Sequence, residues 1–107
     1  MLHIKIEDRS YELLKKLYKD ETDALNRTEI ISGLYKFGNA DVINVLNNAS
    51  ESSNTLVRMA VVKSLSFMPD SKVSCILQAV LDDQIEDVSS AAGEALSKKR
   101  DINDAIR

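Results

Sequence analysis

Residues 57–81 read VRMAVVKSLSFMPDSKVSCILQAVL, and this stretch decides the fold. Leu56, Val57, Ala60, Val61, Ser64, Leu65 and Met68 recur at i, i+3/i+4 steps, and Val73, Ile76, Leu77 and Val80 do so again. Such spacing gathers each set on one face of a helix. Pro69 stops the first helix because its ring has no N–H to donate, and Asp70 or Ser71 suits the N-cap of the second. The stretch is a helix pair.

The pair is not alone. An offset of 31 residues aligns Leu34, Leu65 and Leu96 in one column and Asn39, Asp70 and Asp101 in another. The same frame pairs Arg27 with Arg58, Val42 with Val73, Leu46 with Leu77, Val57 with Val88 and Ala60 with Ala91. Its breaks align as well: Gly38-Asn39 supplies a left-handed C-cap after Phe37 where the next copy has Pro69-Asp70. Serine-rich residues 50–55 link one unit to the next. A recurring unit of this length indicates a repeat architecture.

The spacing predicts helices near residues 8–20, 24–37, 41–50, 55–67, 72–82 and 86–98, with a stub at 102–107. At a rise of 1.5 Å per residue each is only about 18 Å long, too short to be stable alone, so the apolar stripes must bury one another. Leu2 to Ile6 alternates like a strand, but five residues carry little signal, and an N-terminal arm is the simpler expectation.

Composition agrees. In 107 residues, 14 Lys and Arg stand against 17 Asp and Glu for a net charge of -3, and 44% of residues are hydrophobic, which suits one globular domain. Three Gly and one Pro are too few for the tight turns of a β-sandwich. One Cys and one His make neither a disulfide nor a zinc cage, so a reducing cytoplasm is the expected compartment. The opening MLHIKIEDRS is too short in apolar residues for a signal peptide, and no run approaches the roughly 20 needed to span a bilayer.

The stretch 57–81 resembles the short HEAT-like repeat of phycobilisome lyase type, whose pattern opens with Val-Arg, continues with spaced alanines and Ala-Leu, and then has Gly-Asp before a second apolar helix. Val57 and Arg58 stand at the Val-Arg positions, Ala60 at the small packing position, Leu65 at the end of the first helix and Pro69-Asp70 in place of Gly-Asp. A further copy over 83–96 keeps Val88, Ala91, Ala92, Ala95 and Leu96 but has Ser89 for the arginine. An earlier copy keeps Arg27, Leu34 and Gly38-Asn39 but has Asn26 and Glu29 for the usual valine and alanine. The likeness covers roughly 23–101. Tetratricopeptide and ankyrin repeats fit worse, since their Trp and Thr-Pro-Leu-His motifs are missing.

The resemblance implies an all-α, α-α superhelix of about three helix pairs, with first helices on the convex and second helices on the concave side. One domain, 1–107, would comprise an incomplete repeat at 8–20, repeats at 23–54 and 55–83, and a truncated one at 84–107. It also implies protein binding as the usual use, and a structural role for Arg27 and Arg58 in pairing with an acidic residue of an adjacent loop. Asp83 occupies such a position.

Chemistry is sparse. There is no phosphate-cradling glycine loop, no Cys-x-x-Cys, no His-Glu metal pair and no Gly-x-Ser-x-Gly elbow, so neither catalysis nor a cofactor is expected. His3 has no second histidine to share acid–base work, and Cys75 has only Lys72 nearby to favour a thiolate. Charge is spread evenly: residues 1–22 sum to zero (five basic, five acidic) and 84–107 to -1, which excludes a phosphate-binding stripe and hence nucleic acid. Helix phasing turns Asn44 and Asn47 away from Val42, Val45, Leu46 and Ala49, in register with Cys75 and Gln78. On the first helix Glu12, Lys15, Lys16 and Lys19 continue this stripe opposite Leu13, Leu14, Leu17 and Tyr18.

The expected partner-binding residues are therefore Lys16, Lys19, Asn44, Asn47, Cys75 and Gln78, on a non-catalytic adaptor that recognises another protein. Small residues Ala91, Ala92, Gly93 and Ala95 beside the short final unit suggest a homodimer or partner contact there. Two other readings stay open: an accessory subunit of a bilin lyase or isomerase, implied by the resemblance, and a small immunity or antitoxin-type binding protein, compatible with size and mild acidity.

Overall fold

Helix starts recur at the spacing of the sequence columns. In the computed structural model, which describes the backbone of residues 2–38, 40–69 and 71–106 and the side chains of 10–38, 40–69 and 71–100, α2 begins at Ala24, α4 at Thr55 and α6 at Glu86. Helices α3 and α5 begin at Ala40 and Ser71. The full set is α1 Leu2–Asp20, α2 Ala24–Leu34 with a 3₁₀ turn Tyr35–Phe37, α3 Ala40–Ala49, α4 Thr55–Ser66, α5 Ser71–Val80 and α6 Glu86–Ile106. First helices stack as α2 on α4 on α6, second helices as α3 on α5, and α1 packs on α2. The fold is the all-α superhelix of HEAT-like helix pairs.

One turn is built three times. Glu21, Ser52 and Asp83 share a column, and the side chain of each accepts the N–H two residues on: Asp23 at 3.1 Å, Asn54 at 3.2 Å and Ile85 at 2.9 Å. Two residues on, Asp23 and Asn54 cap their helices, with Asp23 Oδ1 accepting from Asn26 at 3.1 Å and Asn54 Oδ1 from Leu56 and Val57 at 2.9 and 3.3 Å. These bonds satisfy N–H groups that a helix start leaves orphaned, and so fix where each first helix begins. Gly38 ends the first pair's opening helix with φ 64°, a left-handed conformation that a Cβ would oppose. The caps expected from Asn39 and Asp70 lie outside the described residues.

Burial follows the columns. Ile31 and Val62, Leu34 and Leu65, Val42 and Val73, Leu46 and Leu77, and Val57 and Val88 are all buried, giving one continuous core between the two helix layers.

Both ends depart from the expected map. The column of Gly38 and Pro69 holds Arg100 in the last unit and Glu7 before the first, and both are helix formers, so no stop exists there. Hence α1 runs from Leu2, replacing the expected arm at Leu2 to Ile6, and α6 runs unbroken to Ile106 where a separate stub was expected. Lys99 of α6 donates to the Met68 carbonyl at the close of α4, tying the long helix to its neighbour.

The face of α1 also differs. Tyr11 is buried and Leu14 and Tyr18 half-buried, whereas Leu13 and Leu17 are 61% and 55% exposed. Residues 11, 14 and 18 lie within one helical stripe, which leaves Leu13 and Leu17 outside it. Ala92 and Ala95 are buried on the helix that packs against α4 and α5, and Gly93 faces the Leu81 side chain. The small residues thus serve close approach within the chain.

Candidate functional site

A recess lies between the second-type helices α1 and α3, with α2 beneath. Its volume is about 630 Å³ and it is lined by Glu12, Lys15, Lys16, Tyr18, Lys19 and Asp20 from α1, Arg27 from α2, and Val45 and Asn48 from α3. Helical spacing makes this lining: Glu12, Lys15, Lys16 and Lys19 share a face of α1, and Val45 and Asn48 lie one turn apart.

Asp41 locks the two walls together. Its Oδ2 accepts from Lys15 Nζ at 2.7 Å and from the Tyr11 hydroxyl at 2.5 Å. The hydrogen bond from Lys15, then that from Tyr11, holds the Asp41 carboxyl below its ordinary value, and the same pairing raises Lys15. Burial, reinforced by Asp41, pushes the Tyr11 hydroxyl far up, so it remains a donor. The Tyr11 ring is itself braced against Phe37, with centroids 5.3 Å apart.

Arg27 forms the floor. Its Nε donates to the Glu21 carbonyl at 2.7 Å and its guanidinium carbon sits 4.6 Å from the centre of the Tyr18 ring. A cation over an aromatic face is attracted by the ring quadrupole. Burial raises the Tyr18 hydroxyl, with the Arg27 charge acting in the opposite direction.

Arg58, one repeat on, is bound differently. Nε and one terminal nitrogen donate to the two oxygens of Asp83 at 2.7 and 3.2 Å, and the other terminal nitrogen donates to the Ser52 carbonyl at 2.8 Å. This fork-on-fork pair joins α4 to the loop before α6, and the hydrogen bond from Arg58 holds the Asp83 carboxyl below its usual value.

Of the residues singled out in the sequence, Lys16 and Lys19 line the recess. Asn44 and Asn47 on α3 and Cys75 and Gln78 on α5 are exposed but do not line it. Tyr18, Val45 and Asn48 were not singled out as contacts, and Arg27 was read as purely structural. The signal for Arg27 lay at Ser52, which stands where a carboxylate would be needed to repeat the Arg58–Asp83 pair. The side chain of His3 lies outside the described residues. Among the described residues no three His, Cys, Asp or Glu side chains converge into a metal-binding set, and no helix is long and apolar enough to cross a membrane.

A smaller recess of about 180 Å³ lies between the ends of α2 and α4, where Tyr35 stacks on Phe67 at 5.9 Å.

The profile of the HEAT repeats family matches residues 11–97, from the recess on α1 through most of α6. The chain belongs to the HEAT repeat family. No curated protein and no solved structure matches this HEAT-repeat chain. HEAT repeats generally mediate protein–protein interaction.

Proposed function

We propose that this HEAT-repeat chain is a non-catalytic adaptor that docks another protein on the surface of its second-type helices, α1, α3 and α5. One observation carries the reading: Lys16, Lys19, Asn44, Asn47, Cys75 and Gln78 are all exposed across those three helices, and Lys16 and Lys19 also line the recess. Their side-chain amides and ammonium groups can bond a partner's backbone while the buried columns beneath hold the helices in place, so docking needs little reordering. The even spread of charge supports a protein partner over nucleic acid. The reading places the adaptor in the cytoplasm, supported by a single unpaired Cys75. The Val57-Arg58 and Pro69-Asp70 positions support placing its repeats with the short phycobilisome lyase-type branch of the family.

The test is alanine replacement of Asn44, Asn47 and Gln78 together, followed by affinity capture from the native cell with quantitative mass spectrometry. A partner recovered with the native chain is expected to fall by about tenfold, as when several interfacial hydrogen bonds are lost. Undiminished recovery of every partner removes the second-helix face as the docking surface.

A further inference from the structure

Arg27 and Arg58 share a column, yet the loop one repeat on differs. Arg58 meets Asp83 there, and each of its three nitrogens donates within the chain. For Arg27 the matching position is Ser52, which carries no charge and whose hydroxyl accepts the Asn54 N–H. Arg27 turns instead toward α1, donating only through Nε, to the Glu21 carbonyl, with its guanidinium carbon over the Tyr18 ring. Its terminal nitrogens meet no acceptor among the described residues.

The recess around it is cationic. Lys15 is balanced by Asp41. Lys16, Lys19 and Arg27 have no ion pair among the described residues, and Glu12 and Asp20 are the carboxylates that border the same space. Three cations against two anions leave a local excess of positive charge in a chain whose net charge is -3. Val45 adds an apolar wall.

We infer that this recess seats an acidic segment of the partner protein. One Asp or Glu carboxylate of that segment pairs with the terminal nitrogens of Arg27, and an aliphatic neighbour of that residue packs on Val45. The inference rests on the docking reading above and names the chemistry of the partner. A planar guanidinium that lines the recess, with both terminal nitrogens unbonded among the described residues, matches a carboxylate in bidentate geometry, and a space of about 630 Å³ with an apolar wall exceeds what a lone anion fills.

The experiment uses the full chain and a blocked peptide of alternating leucine and glutamate, with its leucine–glutamine counterpart and inorganic phosphate as controls. The glutamate peptide is expected to shift the NMR signals of Lys16, Lys19, Arg27 and Val45, and the glutamine peptide and phosphate are expected to leave them in place. Arg27→Gln and the double change Lys16→Gln with Lys19→Gln should each weaken binding about tenfold.

Ser52→Asp is the decisive variant. It supplies inside the chain the carboxylate that Arg27 lacks, so it should bind the peptide about tenfold more weakly while melting no lower than the native chain. Equal binding of the two peptides, equal effects of phosphate, no shift in the recess, or undiminished binding by Ser52→Asp overturns the inference. Natural-partner capture separates the two levels. Loss in the triple-alanine variant with retention in Ser52→Asp overturns the acidic-segment inference and leaves the docking face standing, whereas retention in both overturns both.

Discussion

Arg58 and Asp83 have side chains only 15% and 9% exposed, so their bidentate bond sits in a largely dry seam between α4 and the loop before α6. Removing one partner strands the other, and Arg58→Met should lower unfolding stability by about 3 kcal/mol, read as a lower urea midpoint at constant slope. Arg27→Met removes one bond to a carbonyl and one ring contact and should cost only about 1 kcal/mol. The pair also sets the acid limit. The hydrogen bond from Arg58 holds the Asp83 carboxyl below its usual 3.8. Its contribution is therefore fully present above that value and disappears as pH falls through the lower native one. Stability should drop below about pH 4, and Asp83→Asn should start lower at pH 7 and flatten that acid limb in a pH series of urea melts. At this scale the sequence was legible wherever chemistry follows a column. Lys16 and Lys19 were visible as part of a charged helix face, but Arg27 was hidden because its column-mate Arg58 suggested an identical role.

Elements begin where a side chain captures free N–H groups and end where the stop column holds Gly38 or Pro69. Asn54 caps α4 with two bonds, so Asn54→Ala should cost about 1 kcal/mol in thermal or urea unfolding, while the exposed Asn47→Ala should stay near zero. Gly93 runs the other way. A Cβ built there lies 3.7 Å from the Leu81 side chain, an ordinary contact, so Gly93→Ala should raise stability by about 0.5–1 kcal/mol by stiffening the unfolded chain. The four helices between the ends were legible to within three residues because periodicity, cap and stop agreed there. The two outer helices were not. Periodicity suggested breaks that neither Glu7 nor Arg100 can impose, and the buried stripe of α1 turned on Tyr11 rather than Leu13 and Leu17. Single exposed apolar residues are ordinary on a helix surface, so apolar spacing alone does not mark which stripe of α1 is buried.

Across the whole molecule each helix answers mainly to its neighbours, and α4 has the most of them, packing against α2, α3, α5 and α6. Stability in such an array is close to a sum of unit and interface terms. Hydrogen exchange should therefore find the slowest amides in α4, with protection falling toward α1 and toward the far end of α6. Uniform protection from end to end would mean that the units unfold as one. The translation itself was legible at this scale because a single 31-residue frame fixes helix starts, caps and buried columns together. What it did not specify was the recess, where Arg27 lies against Tyr18 rather than pairing with a loop carboxylate as Arg58 does.

The thrice-built turn at Glu21, Ser52 and Asp83 makes the seams of this chain interchangeable. Splicing a second copy of residues 53–83 after Asp83 would present the same joint on both sides of the insert. Repeat number is thus an adjustable parameter of this protein, and a gene duplication of that length would yield a taller, working tower in one step.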